Sequence, residues 1–454
     1  HVRSRRQRQM CIRDRLITLS CFYENNSFCS SSNSHRKMST KKFPNLVSQF
    51  LQYVKFETQS CRESQDEPSS PNQLKMAEFL VEELKSYGLE DAHIGKGGVV
   101  YASLDAAKGF EDCPAIGLIA HMDTSPDAPA VNIKPQIIQV ETGDVLLNPE
   151  KQIYFRENDF PEIKKYVGQE VIFTDGTTLL GADDKAGVAA ITACMAYLKD
   201  HPEITHAKIC VAFTPDEEIA KGTVNFDIPH FGAEYAYTFD GGEIGTLETE
   251  NFNAATAMVT IKGVVVHPGL SKGKMVNSIK LASRLIGAFP EEQAPETTEG
   301  YEGFIHPNKI EGTVAETSVR ILIRDHDKEK FEAKKTLLKD LTRKLAEEES
   351  RADISLTIKD SYENMRPYLE KTPKVMEIVR EAYRQAGIPI SEEPIRGGTD
   401  GARLSVRGLP CPNVFTGGLN YHSVYECIPI PSLEAAAEVA LSLVKLSAEV
   451  KTLK

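Results

Sequence analysis

The chain has 454 residues, a formal net charge of -12 and a pI near 5.5. That length exceeds one ordinary core and predicts two domains, while the acidic balance excludes a general affinity for nucleic acid or anionic membrane surfaces, which need a basic footprint. The 9 cysteines form no CxxC pair or regular framework and read as reduced thiols of a cytoplasmic protein, and no apolar run approaches the roughly 20 residues of a membrane-spanning helix.

Residues 1–37 differ in character from the rest of the chain. HVRSRRQRQMCIRDR is strongly basic, LITLSCFY is a short apolar patch, and SFCSSSNS is Ser-rich. Such a composition resembles a transit peptide, and a basic head before an apolar patch resembles a secretory signal. RRQRQMCIRDR also resembles translated adaptor DNA. The expectation is a non-native or disordered arm, with translation starting at Met38.

From Met38 the chain alternates helical and strand patterns, an α/β layout. In SSPNQLKMAEFLVEELKSYGL, Ser70 can cap a helix and Pro71 suits its first turn. Met76, Phe79, Leu80, Leu84 and Tyr87 then share one face, and Gly88 stops it. Strands are predicted at 98–104, 115–121, 208–213 and 235–239, mostly apolar throughout, as in a sheet buried on both faces. Near Asn251 the pattern changes to alternating NAATAMVTIKG, a helix near 275–289, a hairpin in KIEGTVAETSVRILIRD, a charged helix at 328–349 and alternating ISLTIKD. That β-α-β-β-α-β order is the ferredoxin-like unit. It predicts a domain at 251–364 inserted into a catalytic domain formed by 38–250 and 365–454, whose mostly parallel, mixed sheet lies between helices. Helices at 375–385 and 433–446 flank LPCPNVFTGG in the last part.

The apolar strands end in unusual company. GLIAHMDTSPD delivers His121, Asp123 and Asp127; LLGADDKAG places Asp183 and Asp184 at a helix start; AFTPDEE brings Asp216, Glu217 and Glu218; YTFDGG brings Asp240; and NVFTGGLNYHSVYE leads to His422. Each alone has an ordinary reading, because loops are polar and acids favour helix N-termini. Together they point one way. Ligands bind outside the carboxyl ends of parallel strands, where His121, Glu217, Glu218, Asp240 and His422 would converge. Two histidines and at least three carboxylates suit zinc or another borderline divalent ion at two adjacent positions. Such an ion pair can share a carboxylate, polarise a carbonyl and lower the pKa of a water, which is the chemistry of hydrolysis.

HMDTSPD, LLGADDKAG, AFTPDEE, YTFDGGEIGTLETENFNAA, VHPG, APETTEGYEGF and IRGGTDGARLSVRGLPCPNVFTGG, in that order, resemble the peptidase T family. These are tripeptide aminopeptidases among the co-catalytic zinc metallopeptidases, a group that also holds carboxypeptidases, dipeptidases and aminoacylases. The resemblance runs from Pro44 to the C-terminus. It implies that His121 and Asp240 hold one zinc, that Glu218 and His422 hold the other, and that Asp183 bridges them. Cobalt or manganese can substitute. Asp123 would orient His121, and Glu217 would be the general base.

His267 in VVVHPG reads locally as a turn histidine before Pro268; the resemblance implies that it reaches the partner's active site in a homodimer and stabilises the oxyanion. The inserted domain would then serve dimerisation and act as a lid. Asn277, Arg324 and Arg396 are candidates for gripping the peptide's carbonyls and carboxylate, since an arginine fork suits a carboxylate. Thr399 and Asp400 read as residues that shape a loop and cap a helix. Two other readings compete with a tripeptide aminopeptidase: a related dipeptidase or N-acyl amino acid deacylase with the same metals, and a metal-binding protein without turnover. Glu217 counts against the last, since storage needs ligands but no base.

Overall fold

A computed structural model describes residues 42–453; the arm expected over residues 1–37 lies outside them. Four apolar stretches form the parallel centre of an eight-stranded mixed sheet: Ile209–Thr214, Ile116–His121, Tyr235–Gly241 and Asn413–Phe415, adjacent in that order. Val100–Leu104 and His93–Ile94 extend it antiparallel on one side. Thr246–Glu248 and Ser391–Glu392 complete the other side.

IGLIAH and ICVAFT are buried at every position because side chains alternate across a strand and helices cover both faces. Leu118 and Val211 face one core, with Val188 and Ile191 of helix Ala182–Asp200 and Leu433 and Val444 of helix Ile430–Ser447. Ile119 and Ala212 face the other, with Phe231 and Leu404. At Gly117 the layers pack tightly: a Cβ there would sit 2.6 Å from the Phe231 ring.

Helix Pro71–Ser86 starts and stops where its residues predict, with Met76, Leu80 and Leu84 fully buried. Ser70 stands at its N-cap, but its side chain makes no capping bond. The predicted strand at 98–104 is shorter, because Gly97 and Gly98 adopt positive φ in a tight turn, and regular pairing begins at Val100.

From Asn253 to Tyr362 the chain builds a separate antiparallel sheet in the order Phe304–Gly312, Glu316–Asp325, Asn253–Lys262, Asp353–Tyr362. Helices Ser278–Ile286 and Lys328–Glu348 pack on one face, burying Val259, Ile321, Leu281 and Leu338. This is the expected ferredoxin-like order. Its two connections to the first sheet are clasped by asparagines: Asn251 Oδ1 accepts from Met365 N at 2.8 Å, and Asn364 Nδ2 donates to the Glu250 carboxylate at 3.1 Å.

Residues 136–173 contain structure that the sequence pattern did not disclose. Gln136–Gln139, Glu170–Phe173 and Ile428–Pro429 form a small antiparallel sheet beside the main one. Its strands are two to four residues long, too short for alternation to stand out. Among the described residues no helix is long and apolar enough to cross a membrane.

Candidate metal centre

Each parallel strand delivers its polar residue at the same edge of the sheet. His121 closes its strand, Asp240 nearly closes the next, and Ile209–Thr214 runs through Pro215 and Asp216 into Glu217 and Glu218. Asp216 adopts a left-handed conformation with φ 58°. Its buried carboxylate accepts from Ser69 N at 2.7 Å and Gln73 Nε2 at 2.8 Å, which fixes the turn that presents the two glutamates.

His121 Nε2 lies 2.9 Å from Asp183 Oδ1 and 3.4 Å from Asp240 Oδ1. His422 Nε2 lies 3.2 Å from Asp183 Oδ2 and 2.9 Å from Glu218 Oε2. These make two triplets, His121–Asp183–Asp240 and Asp183–Glu218–His422, and within each the potential ligand atoms lie within 4.8 Å of one another. Asp183 belongs to both, one oxygen facing each histidine. Asp184, its neighbour, is turned elsewhere: its carboxylate accepts from His121 N at 2.9 Å and Gly187 N at 3.2 Å, so it caps the following helix and secures the strand end.

Asp123 lies beneath the site, fully buried, and accepts from the backbone N–H groups of Glu217 at 3.0 Å and Glu218 at 3.2 Å. Its Oδ1 is also 3.2 Å from His121 Nδ1, off the line of a full hydrogen bond. One carboxylate therefore ties the histidine strand to the glutamate turn. The Glu217 side chain makes no hydrogen bond among the described residues. Burial, reinforced by the charges of Asp400 and Asp240, pushes its pKa well above the usual carboxylate value.

The electrostatics call for cations. Burial first, then the charge of Asp183, raises Glu218 to about 8, and burial raises Asp240 to about 7. Burial works to lower His422, but the hydrogen bonds and charges of Asp183 and Glu218 outweigh it and push it up to about 11. Asp183 is also opposed by burial, yet its contacts with His121 and His422 hold it well below the usual range. Glu218 Oε1 is buried with no hydrogen-bond partner, a costly state for a carboxylate oxygen unless something positive meets it. Imidazole and carboxylate donors, crowded and under-neutralised, fit a pair of divalent ions.

The residue that the sequence reading passed over is Glu426, four positions after His422. Fully buried, it accepts from Leu180 N and Gly181 N at 2.7 Å each and from Asp183 N at 2.9 Å, so it moulds the loop that carries the shared aspartate. A single acid after a histidine gives no signal of this in sequence. Glu426→Ala strands two buried N–H groups, at about 1–3 kcal/mol each, and a third that is partly buried, so the expected loss is about 2 kcal/mol or more, read as a lowered urea midpoint at unchanged slope.

The structure does not bring the remaining candidates to this cluster within one chain. His267 is exposed at the rim of the four-stranded unit, its Nδ1 accepting from Gly269 N at 3.2 Å. Asn277 caps helix Ser278–Ile286, accepting from Ile279 N and Lys280 N. Asn277→Ala should accordingly cost about 1 kcal/mol of stability whatever its effect on substrate, measurable by thermal unfolding. Arg324 donates to the carbonyls of Ala255 and Ile323 and faces the Tyr362 ring at 5.4 Å.

Arg396 is committed to the 298–302 loop, donating to Gly300 O at 2.8 Å, Glu302 O at 2.9 Å and Thr298 Oγ1 at 2.9 Å while lying over Phe252 and Phe304. It presents no free fork to a carboxylate. Thr399 caps helix Asp400–Val406. Asp400 is buried beside Thr214, whose hydroxyl donates to it at 2.7 Å.

The chain is 49% identical over 402 residues to a protein named peptidase T from Geobacillus thermodenitrificans, covering 88% of this chain and 98% of that one. A second, from Clostridium acetobutylicum, is 48% identical over 405 residues, covering 89% and 99%. The chain belongs to the peptidase T family. Membership makes it a peptidase, and the paired triplets are groups whose donor atoms could hold metal ions. Residues 249–351 match the peptidase dimerisation domain family.

Among solved structures, a tripeptidase from Staphylococcus aureus superposes with a TM-score of 0.72 at 23% identity, over 90% of this chain and 99% of that one. The aminopeptidase PepT of Bacillus cereus gives 0.69 at 22% identity, over 89% and 99%. A dinuclear metal-binding peptidase of the M20 family from Bacillus subtilis gives 0.60 at 13% identity, over 90% and 99%. The peptidase T fold thus spans nearly the whole described chain.

Proposed function

We propose that this peptidase T family member is a cytoplasmic, homodimeric dizinc aminopeptidase that releases the N-terminal residue of tripeptides and other short peptides. The observation that carries the reading is Asp183, one carboxylate facing His121 with one oxygen and His422 with the other, beside an unengaged Glu217. His121 and Asp240 would hold one ion, Glu218 and His422 the second, and Asp183 would span both. Zinc suits this donor set, with cobalt or manganese as substitutes.

When bound, the ions supply Lewis acidity and a water of lowered pKa. The chain's own residues supply the rest. Glu217 takes the proton of the attacking water on its carboxylate and delivers it to the leaving amine, a task favoured by burial that raises its pKa above the usual carboxylate value. Asp123 fixes the distance between base and ligands by holding the N–H groups of both glutamates. We also read residues 38–250 and 365–454 as the catalytic domain and 251–364 as a dimerisation and lid domain, in keeping with the dimerisation family matched at 249–351.

Purified protein given di-, tri- and tetrapeptides and N-acetyl amino acids is expected to release the N-terminal residue of tripeptides fastest and to contain two equivalents of zinc. Preferential cleavage of N-acetyl amino acids or dipeptides would assign it to the neighbouring deacylases or dipeptidases. Activity surviving exhaustive chelation would overturn the metal reading.

A further inference from the structure

Asp127, the last acid of HMDTSPD, is not among the metal-binding residues. Its Oδ2 lies 3.5 Å from His422 Nδ1, while the other nitrogen of that ring faces Asp183 and Glu218. A histidine that ligates through Nε2 carries its proton on Nδ1, and an acceptor there fixes both tautomer and ring plane. His121 has Asp123 beside its Nδ1, at 3.2 Å. Among the described residues, Asp127 supplies the one carboxylate within 4.0 Å of His422 Nδ1. The need is greater here: His422 sits in a loop at φ 59° with its side chain 41% exposed, against 2% for His121, so packing does little to hold its ring.

Asp127 is itself held. Arg62 Nη2 donates to its Oδ1 at 3.0 Å. The surrounding loop is stapled by Gln59, whose amide donates to Ser125 O at 2.9 Å and Ala128 O at 2.7 Å. Arg62 also neutralises the carboxylate, and Asp127 faces Nδ1 rather than the Nε2 side, so its placement differs from that of the ligating acids. We propose that Asp127, braced by Arg62, is a positioning residue that orients His422 for the second metal, so that one strand end supplies the orienting carboxylates of both histidines.

The proposal rests on the two-metal reading and can fail independently of it. Zinc affinities of the holoenzyme would be measured by competition with a chelator, using His422→Ala to identify the equivalent that depends on His422. Asp127→Ala should weaken that equivalent about 10–100-fold and leave the other unchanged. Asp127→Asn, which keeps an acceptor oxygen, should weaken it less. Arg62→Ala should weaken the same equivalent, and Asp127→Ala added to His422→Ala should have no further effect.

If wild type binds two zinc ions and Asp127→Ala binds both as tightly, the proposal is overturned while the two-metal reading stands. A raised KM with unchanged zinc affinity would overturn it in favour of a carboxylate that receives the substrate's terminal ammonium. Equal weakening of both ions would also overturn it, because the loop and not His422 would then be responsible.

Discussion

Glu217→Gln is expected to lower turnover by about 10²–10⁴-fold while leaving metal content unchanged. The substitution keeps the shape of the side chain and removes its proton-accepting oxygen. Its structural cost is small, because the Glu217 side chain makes no hydrogen bond among the described residues, and the backbone bond to Asp123 at 3.0 Å survives. The neighbouring acids make the test sharper. Glu218 is in contact with His422 and Asp240 with His121, so substituting either should release metal, whereas Glu217 lies outside both triplets. Turnover by stopped assay and zinc by elemental analysis on the same preparation separate the two effects. Loss of metal from Glu217→Gln would mean that the two adjacent glutamates exchange roles.

Much of this centre was legible in the sequence because parallel strands buried on both faces are nearly pure apolar runs, so their ends stand out. IGLIAH and ICVAFT mark where the chain leaves the core, and the polar residues beyond them must lie at one edge of the sheet. The ferredoxin-like unit was legible for a different reason: its strands bury one face only, and NAATAMVTIK shows the alternation plainly.

Residues whose role depends on backbone partners distant in sequence were not legible. Glu426 accepts from N–H groups some 245 positions earlier, and no local pattern marks such a bond. The same limit explains Arg396. Its type suggested a carboxylate grip, but Phe252, Phe304 and the carbonyls of residues 298–302 surround it from elsewhere in the chain. Asp183 and Asp184 are adjacent and chemically identical; the family resemblance singled out Asp183, and the fold gives the physical reason, turning Asp183 to two imidazoles while Asp184 caps a helix.

His267→Ala is expected to lose about 10²–10³-fold in kcat, the effect of a missing oxyanion donor, while keeping its zinc and its dimer. Among the described residues of one chain, His267 makes no hydrogen bond or ion pair with the two candidate metal triplets, so an effect of that size requires a second copy. The four-stranded sheet leaves two open edges, Phe304–Gly312 and Asp353–Tyr362, and open edges are paired, covered or charged in native proteins. Exposed Val265 and Leu270, 61% and 68% accessible, flank His267 on the same rim, a placement that suits contact with another subunit. A symmetric dimer uses the same surface twice, so whatever reach one His267 gains across it the other gains as well. Mixing inactive His267→Ala with inactive Glu217→Gln and letting subunits exchange should then restore about one quarter of wild-type activity, since half the dimers are hybrids with one intact site each. In the hybrid, the subunit that keeps Glu217 receives His267 from the other. Demonstrated exchange without recovery would place His267 within its own subunit's chemistry or outside the chemistry altogether.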